Sequence, residues 1–78
     1  MPSLDQLRAG QGALIDRVDG TDGIVQRLLE MGLLEGEELM VLGFAPLGDP
    51  MEIRLRDYRL SLRRSEAARV SVHVIDRD

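Results

Sequence analysis

His73 is the one imidazole in a chain of 78 residues, and no cysteine accompanies it. Catalysis of group transfer needs a nucleophile held beside a base, or carboxylates gathered in a pocket. Neither constellation is written here. The serines stand in ordinary turn and strand settings, and His73 alternates with Val70, Val72 and Val74 in a pattern that turns it outward from a last strand. With Asp76 or Asp78, His73 is a weak candidate ligand for a divalent transition metal, since imidazole and carboxylate oxygen both suit such ions. Gly10-Gln11-Gly12 opens like a dinucleotide fingerprint, yet Ile15 holds the third glycine position and no strand precedes it, so it reads as a turn. The stretch from Asp16 to Gly23 is acidic, but Val18 stands at the second ligand position of a calcium loop and Arg27 at its twelfth. The calcium reading fails.

Recognition chemistry is better represented. Arg54, Arg56 and Arg59 fall on the outer side of two alternating runs, Met51 to Arg56 and Arg59 to Arg63, which form a hairpin turning at Asp57-Tyr58. In that register Leu55 faces Leu60 and Ile53 faces Leu62 on the inner side. Met31, Leu33 and Leu34 crowd a helix-to-strand corner too tightly for all three to be buried, and Leu47 sits in the loop Ala45-Pro46-Leu47-Gly48-Asp49-Pro50. Apolar groups beside arginines suit a protein interface.

These residues need a frame, and the chain supplies one. Ile24, Val25, Leu28, Leu29 and Met31 recur at helical spacing, with Gln26, Arg27 and Glu30 opposite, so one short amphipathic helix is indicated. Thr21-Asp22 can cap its start, and Gly32 fits the left-handed position of a Schellman cap in which Leu28 and Leu33 touch. Ala13 to Val18 reads as a first strand and Leu39 to Leu42 as a second; Val70 to Ile75 is the last. Ser3 and Gln6 have capping-box spacing for an N-terminal helical turn that lids the core, and Ser65 to Ala68 forms another turn. Five short strands, one helix after the first strand and short helical turns predict a mainly β, strongly bent SH3-like barrel over residues 1–78. An OB-type barrel also has five strands and one helix, but its usual strands are too long for this chain.

Fourteen carboxylates face ten arginines and no lysine, for a net charge of -4. That balance, with one Tyr and one Phe, argues against a nucleic-acid partner, whose recognition is built on basic and aromatic surface. A domain this small buries only somewhat more than roughly 60% of the surface its unfolded chain exposes. Stability must therefore come from a closed sheet or from a partner, a homo-oligomer included. The chain starts without a basic-then-apolar leader, and its longest uncharged stretch, from Leu39 to Gly48, is about half the ~20 residues a membrane helix needs, so a soluble, intracellular protein is expected.

Three separated segments resemble one family. Gln26-Arg27-Leu28-Leu29-Glu30-Met31-Gly32-Leu33-Leu34-Glu35-Gly36 is similar to the "RL..lGl..G" signature of FeoA, the small accessory protein of bacterial ferrous iron uptake. Ala45 to Pro50 resembles that family's "aP.gdP" loop, and Leu60-Ser61-Leu62-Arg63-Arg64-Ser65-Glu66-Ala67 its "laLR..EA" segment. Asp57 departs from the pattern, standing where the family commonly has glycine. The resemblance implies an SH3-like fold, a cytoplasmic location, no catalytic residues, no cofactor, and docking on FeoB, a membrane transporter with a G-protein domain. Met31, Leu33, Leu34, Leu47, Arg54, Arg56 and Arg59 are the contact surface that the residue pattern suggests for that partner. The same domain type ends iron- and manganese-dependent repressors, which gives the alternative of a metal-responsive module using His73 and carboxylates.

Overall fold

The computed structural model describes residues 2–75. In order, it contains an N-terminal 3-10 turn Leu4–Gln6, β1 Gly12–Val18, α1 Gly23–Glu30, β2 Glu38–Phe44, β3 Met51–Leu55, β4 Tyr58–Leu62, α2 Arg64–Ala67 and β5 Val70–Ile75. The first and last strands are neighbours in one antiparallel sheet of order β4-β3-β2-β1-β5. A chain reversal between every pair of sheet neighbours except β1 and β5, whose pairing joins the two ends of the chain, gives the bent sheet expected from the sequence.

Two irregularities supply the bend. The register shifts between Ile15 and Arg17 where β1 meets β5, and between Val41 and Gly43 where β2 meets β3. A bulge adds a residue to one strand and increases its local twist, so the sheet curls around its own inner face. That face carries Ile15, Leu39, Val41, Met51, Ile53, Leu55, Leu62 and Val72, all at most 2% exposed. Each such side chain stabilises the fold by about 1.5–3 kcal/mol through loss of apolar surface to water. Leu4 and Leu7 from the N-terminal turn and Ala67 from α2 close the ends of this core. The N-terminal turn is held as the spacing predicts, the Ser3 amide donating to Gln6 Oε1 at 3.0 Å.

Asp22 caps α1, its carboxylate accepting from the Val25 amide at 3.4 Å. At the other end Gly32 takes φ 101°, a conformation that costs L-residues but not glycine. The Gly32 amide then donates to the Leu29 carbonyl at 3.0 Å and the Leu33 amide to the Leu28 carbonyl at 3.2 Å, the two bonds that define a Schellman cap. Leu28 and Leu33 are both fully buried. The helix stops where the sequence says it must.

The hairpin differs from expectation. Leu55 pairs with Tyr58, Ile53 with Leu60 and Met51 with Leu62, so the loop is Arg56-Asp57 and every partner is displaced by two residues. Alternation has a period of two, so registers two apart bury the same faces, and pattern alone does not separate them. Arg56 adopts φ 59° at the first loop position, and β2 continues to Phe44, two residues past the expected Leu42.

Candidate functional site

The helix-to-strand corner and the hairpin tip form one unit. Tyr58 donates its hydroxyl hydrogen to the Met31 carbonyl at 2.8 Å. Arg56 donates from Nε to Glu37 Oε2 at 3.0 Å and from Nη2 to the other carboxylate oxygen. The Glu37 amide in turn donates to the Leu34 carbonyl at 3.1 Å. Arg56 therefore serves the corner rather than standing free. Its guanidinium hydrogen bond lowers the Glu37 pKa, against a smaller opposing effect of desolvation, and the carboxylate raises that of Arg56.

Met31 is half-buried, whereas Leu34 is 46% exposed. Leu33, expected at the contact surface, is instead core: its amide closes the Schellman cap, so its side chain is drawn inward against Leu28. Of three crowded apolar residues the corner buries one, half-buries one and presents one.

Arg54 and Arg59 do face outward, directly opposite each other across β3 and β4. Like charges so placed repel. Arg59 Nη1 lies 3.8 Å from Glu52 Oε1, and Arg54 Nη2 lies 4.0 Å from the Met40 thioether. Leu47 is 96% exposed at the tip of its loop. That loop is nonetheless fixed: Arg64 donates from its amide to Asp49 Oδ1 at 3.0 Å and from its side chain to the carbonyls of Gly48 and Asp5, while stacking over the Phe44 ring. A rigid, apolar tip loses little entropy on binding.

Leu47 and the corner lie at opposite ends of the β2–β3 ladder, separated by roughly 17 Å of strand. A groove of about 640 Å³ joins the two regions, lined by Arg27 and Met31 of the α1 end, Asp49 and Pro50 of the loop, and Ser61, Arg63 and Glu66. Glu66 is the buried acid of the groove, paired with Arg27 and accepting from the Arg63 amide at 2.9 Å.

His73 is exposed on β5, with Nε2 3.9 Å from Asp16 Oδ1. Asp16 sits at the β1 bulge. Asp76 and Asp78, the other ligands expected for it, lie outside the described residues. Among those described, no group of three or more His, Cys, Asp or Glu is placed to hold a metal ion, and no helix is long and apolar enough to cross a membrane.

The family model described as the FeoA domain matches residues 3–74. This chain belongs to the FeoA family. A Porphyromonas gingivalis Fe(2+) transport protein A/Fe(2+) transporter FeoB fusion protein is 43% identical over 72 residues, covering 92% of this chain and 8% of the fusion protein. The chain thus spans a small fraction of that relative. The solution structure of a FeoA protein from Chlorobium tepidum superposes with a TM-score of 0.89 at 39% identity, over 99% of this chain and 73% of that one. Stenotrophomonas maltophilia FeoA, complexed with zinc and described as a prokaryotic SH3 domain protein, gives a TM-score of 0.82 at 32% identity, over 94% of this chain and 91% of that one. The SH3-like architecture expected from the strand pattern is the FeoA fold.

Several site residues in this FeoA domain escape sequence reading. Tyr58 gives no sign of its long-range bond to Met31, and Arg56–Glu37 joins segments nineteen positions apart. Glu66 was more legible, since it stands three residues after the α2 cap position at Arg63, the spacing at which a carboxylate returns to the cap amide.

Proposed function

We propose that this FeoA domain is a non-enzymatic accessory module of bacterial ferrous iron uptake that docks on a FeoB-type transporter from the cytoplasmic side and modulates it. The observation that carries this reading is the fusion of a 43% identical FeoA segment to FeoB in one polypeptide. Covalent linkage turns docking into an intramolecular event at high effective concentration, an arrangement that favours two modules whose contact matters. The contact surface in this reading combines Leu47, Leu34 and Met31 with the outward Arg54–Arg59 pair, and leaves Leu33 to the core.

Leu47→Asp and Arg54→Glu test it, because neither residue supports the fold as Leu33 or the Glu37-bound Arg56 does. Binding of the cytoplasmic part of a FeoB-type transporter is measured by calorimetry before and after each change. Weaker binding is expected for both. Unchanged affinity for both removes this surface, and absence of binding by the unaltered chain removes the docking reading. The competing reading, a divalent-metal sensor, predicts stoichiometric Fe(II) binding that disappears in His73→Ala; the ion-pair partner recorded for His73 is Asp16 alone among the described residues.

A further inference from the structure

The two edges of the sheet are treated differently. Outside β5, the N-terminal segment adds a partial strand: Ser3 bridges to Ser71, and the Val72 amide donates to the Pro2 carbonyl at 3.0 Å. Outside β4, no strand is laid down among the described residues. The two-residue loop makes Leu55 and Tyr58 a hydrogen-bonded pair, and alternation makes Ile53–Leu60 and Met51–Leu62 hydrogen-bonded in turn. The amides and carbonyls of Arg59 and Ser61 therefore point away from β3. Among the described residues, no turn, loop or cap bond reaches them. Ser61 opens onto the groove between β4, Met31 and Pro50.

Charge says what suits this edge. Five of the ten arginines fall between positions 54 and 64, where Asp57 is the single carboxylate, although the chain as a whole is acidic; Arg56 is taken up by Glu37, and Arg59 has only the half-buried Glu52, at 3.8 Å, among the described residues. Arg59 and Ser61 lie along one side of β4, Arg63 follows one residue past its end, and all three are exposed. A second copy pairing antiparallel with β4 would bring these arginines against their own counterparts, and like charges at a sheet edge oppose such pairing.

We infer that the outer edge of β4 accepts one extended acidic segment of a protein partner as an added strand, its carboxylates alternating to meet Arg59 and Arg63. As to source, the inference rests on the docking reading above: the segment belongs to the transporter. Backbone bonds to Arg59 and Ser61 give the added strand its affinity, and the arginines set its sign.

The test uses this chain labelled with ¹⁵N and titrated with a blocked peptide of alternating glutamate and valine, then with the cytoplasmic part of the transporter. The expected result is shifts centred on Arg59 and Ser61, with their amides newly protected from exchange. Ser61→Pro removes one outward amide without touching the β3 ladder, a place where an edge strand tolerates proline; it is expected to weaken binding about tenfold or more, as loss of a recognition bond does. Ser61→Ala is expected to change nothing, and Arg59→Glu with Arg63→Glu to abolish binding of the acidic peptide without requiring proline in the fold. Transporter binding unaffected by all of these overturns the inference while sparing the docking reading. Peptide binding at β4 without transporter binding supports the edge and removes the transporter as its source. Shifts at β4 that depend only on protein concentration, equal binding of a lysine–valine peptide, or binding of anionic lipid vesicles in place of either ligand each overturn it.

Discussion

Tyr58 and Met31 are joined by a hydrogen bond of 2.8 Å from the phenol to the backbone carbonyl, and the residue after Met31 is the glycine that lets the ring approach. A Cβ on Gly32 would stand 2.5 Å from Tyr58 Oη and 3.4 Å from Leu55 Cδ2. The glycine thus meets two demands at once, a left-handed cap for α1 and room for the hairpin tip. Gly32→Ala is expected to destabilise by about 2–3 kcal/mol, combining backbone cost at positive φ with loss of the phenol bond. Tyr58→Phe should cost about 0.5–1.5 kcal/mol alone and much less in the Gly32→Ala background, where the bond is already displaced. Urea unfolding of the double-mutant cycle measures the difference; additive effects would separate the two residues.

The second prediction concerns acid. Asp22 caps α1 and also accepts two bonds from Arg69, at 2.9 and 3.0 Å, so the start of the helix is tied to the turn before β5. The Arg69 hydrogen bond lowers the Asp22 pKa, with desolvation opposing and the Val25 amide assisting. A carboxyl whose folded pKa is lowered contributes its stability above its ordinary value of 3.8, and loses it as pH falls through the lower folded value. Glu37, lowered by Arg56, behaves alike below its reference of 4.5. Thermal midpoints should therefore be flat from neutral pH down to that region and fall below it. In Asp22→Asn and Arg69→Met the neutral-pH midpoint drops and the acid slope shrinks. An unaltered slope in both variants would assign the acid loss to other groups.

What the sequence disclosed follows from which forces act locally. The Schellman end of α1, its Asp22 cap, the inward faces of β3 and β4 and the inward Val70 and Val72 of β5 were legible, because each depends on residues within one turn or one alternation of each other, whereas Val74, on the same alternation, is 39% exposed. The hairpin register was not, since sliding by two residues preserves every buried face; the long-range attachments of Arg56 to Glu37 and Tyr58 to Met31 accompany the observed register. Leu33 was misplaced for a similar reason. The corner had one apolar residue too many, and only the cap geometry decides that Leu33 goes in and Leu34 goes out. At the candidate surface, Leu47 was readable as a loop residue, but its rigid presentation depends on Arg64 reaching Asp5 across fifty-nine positions, which no local pattern announces.

Glu66 supplies the last prediction. It is 7% exposed, accepts from the Arg63 amide at the start of α2, and pairs with Arg27 on α1, whose side chain is 58% exposed. Removing the acid frees Arg27 to rehydrate but leaves the Arg63 amide without its cap, so Glu66→Ala should destabilise by about 1–3 kcal/mol. Glu66→Gln keeps an acceptor for that amide and should cost under about 1 kcal/mol, because an ion pair with a largely exposed partner contributes little. Arg27→Ala removes the charge that faces a buried carboxylate and is expected to fall between the two. The order Ala, then Arg27→Ala, then Gln, read from urea midpoints, distinguishes a capping role from an ion-pair role. If Gln proved as costly as Ala, the pair with Arg27 would be the dominant contribution and the cap secondary.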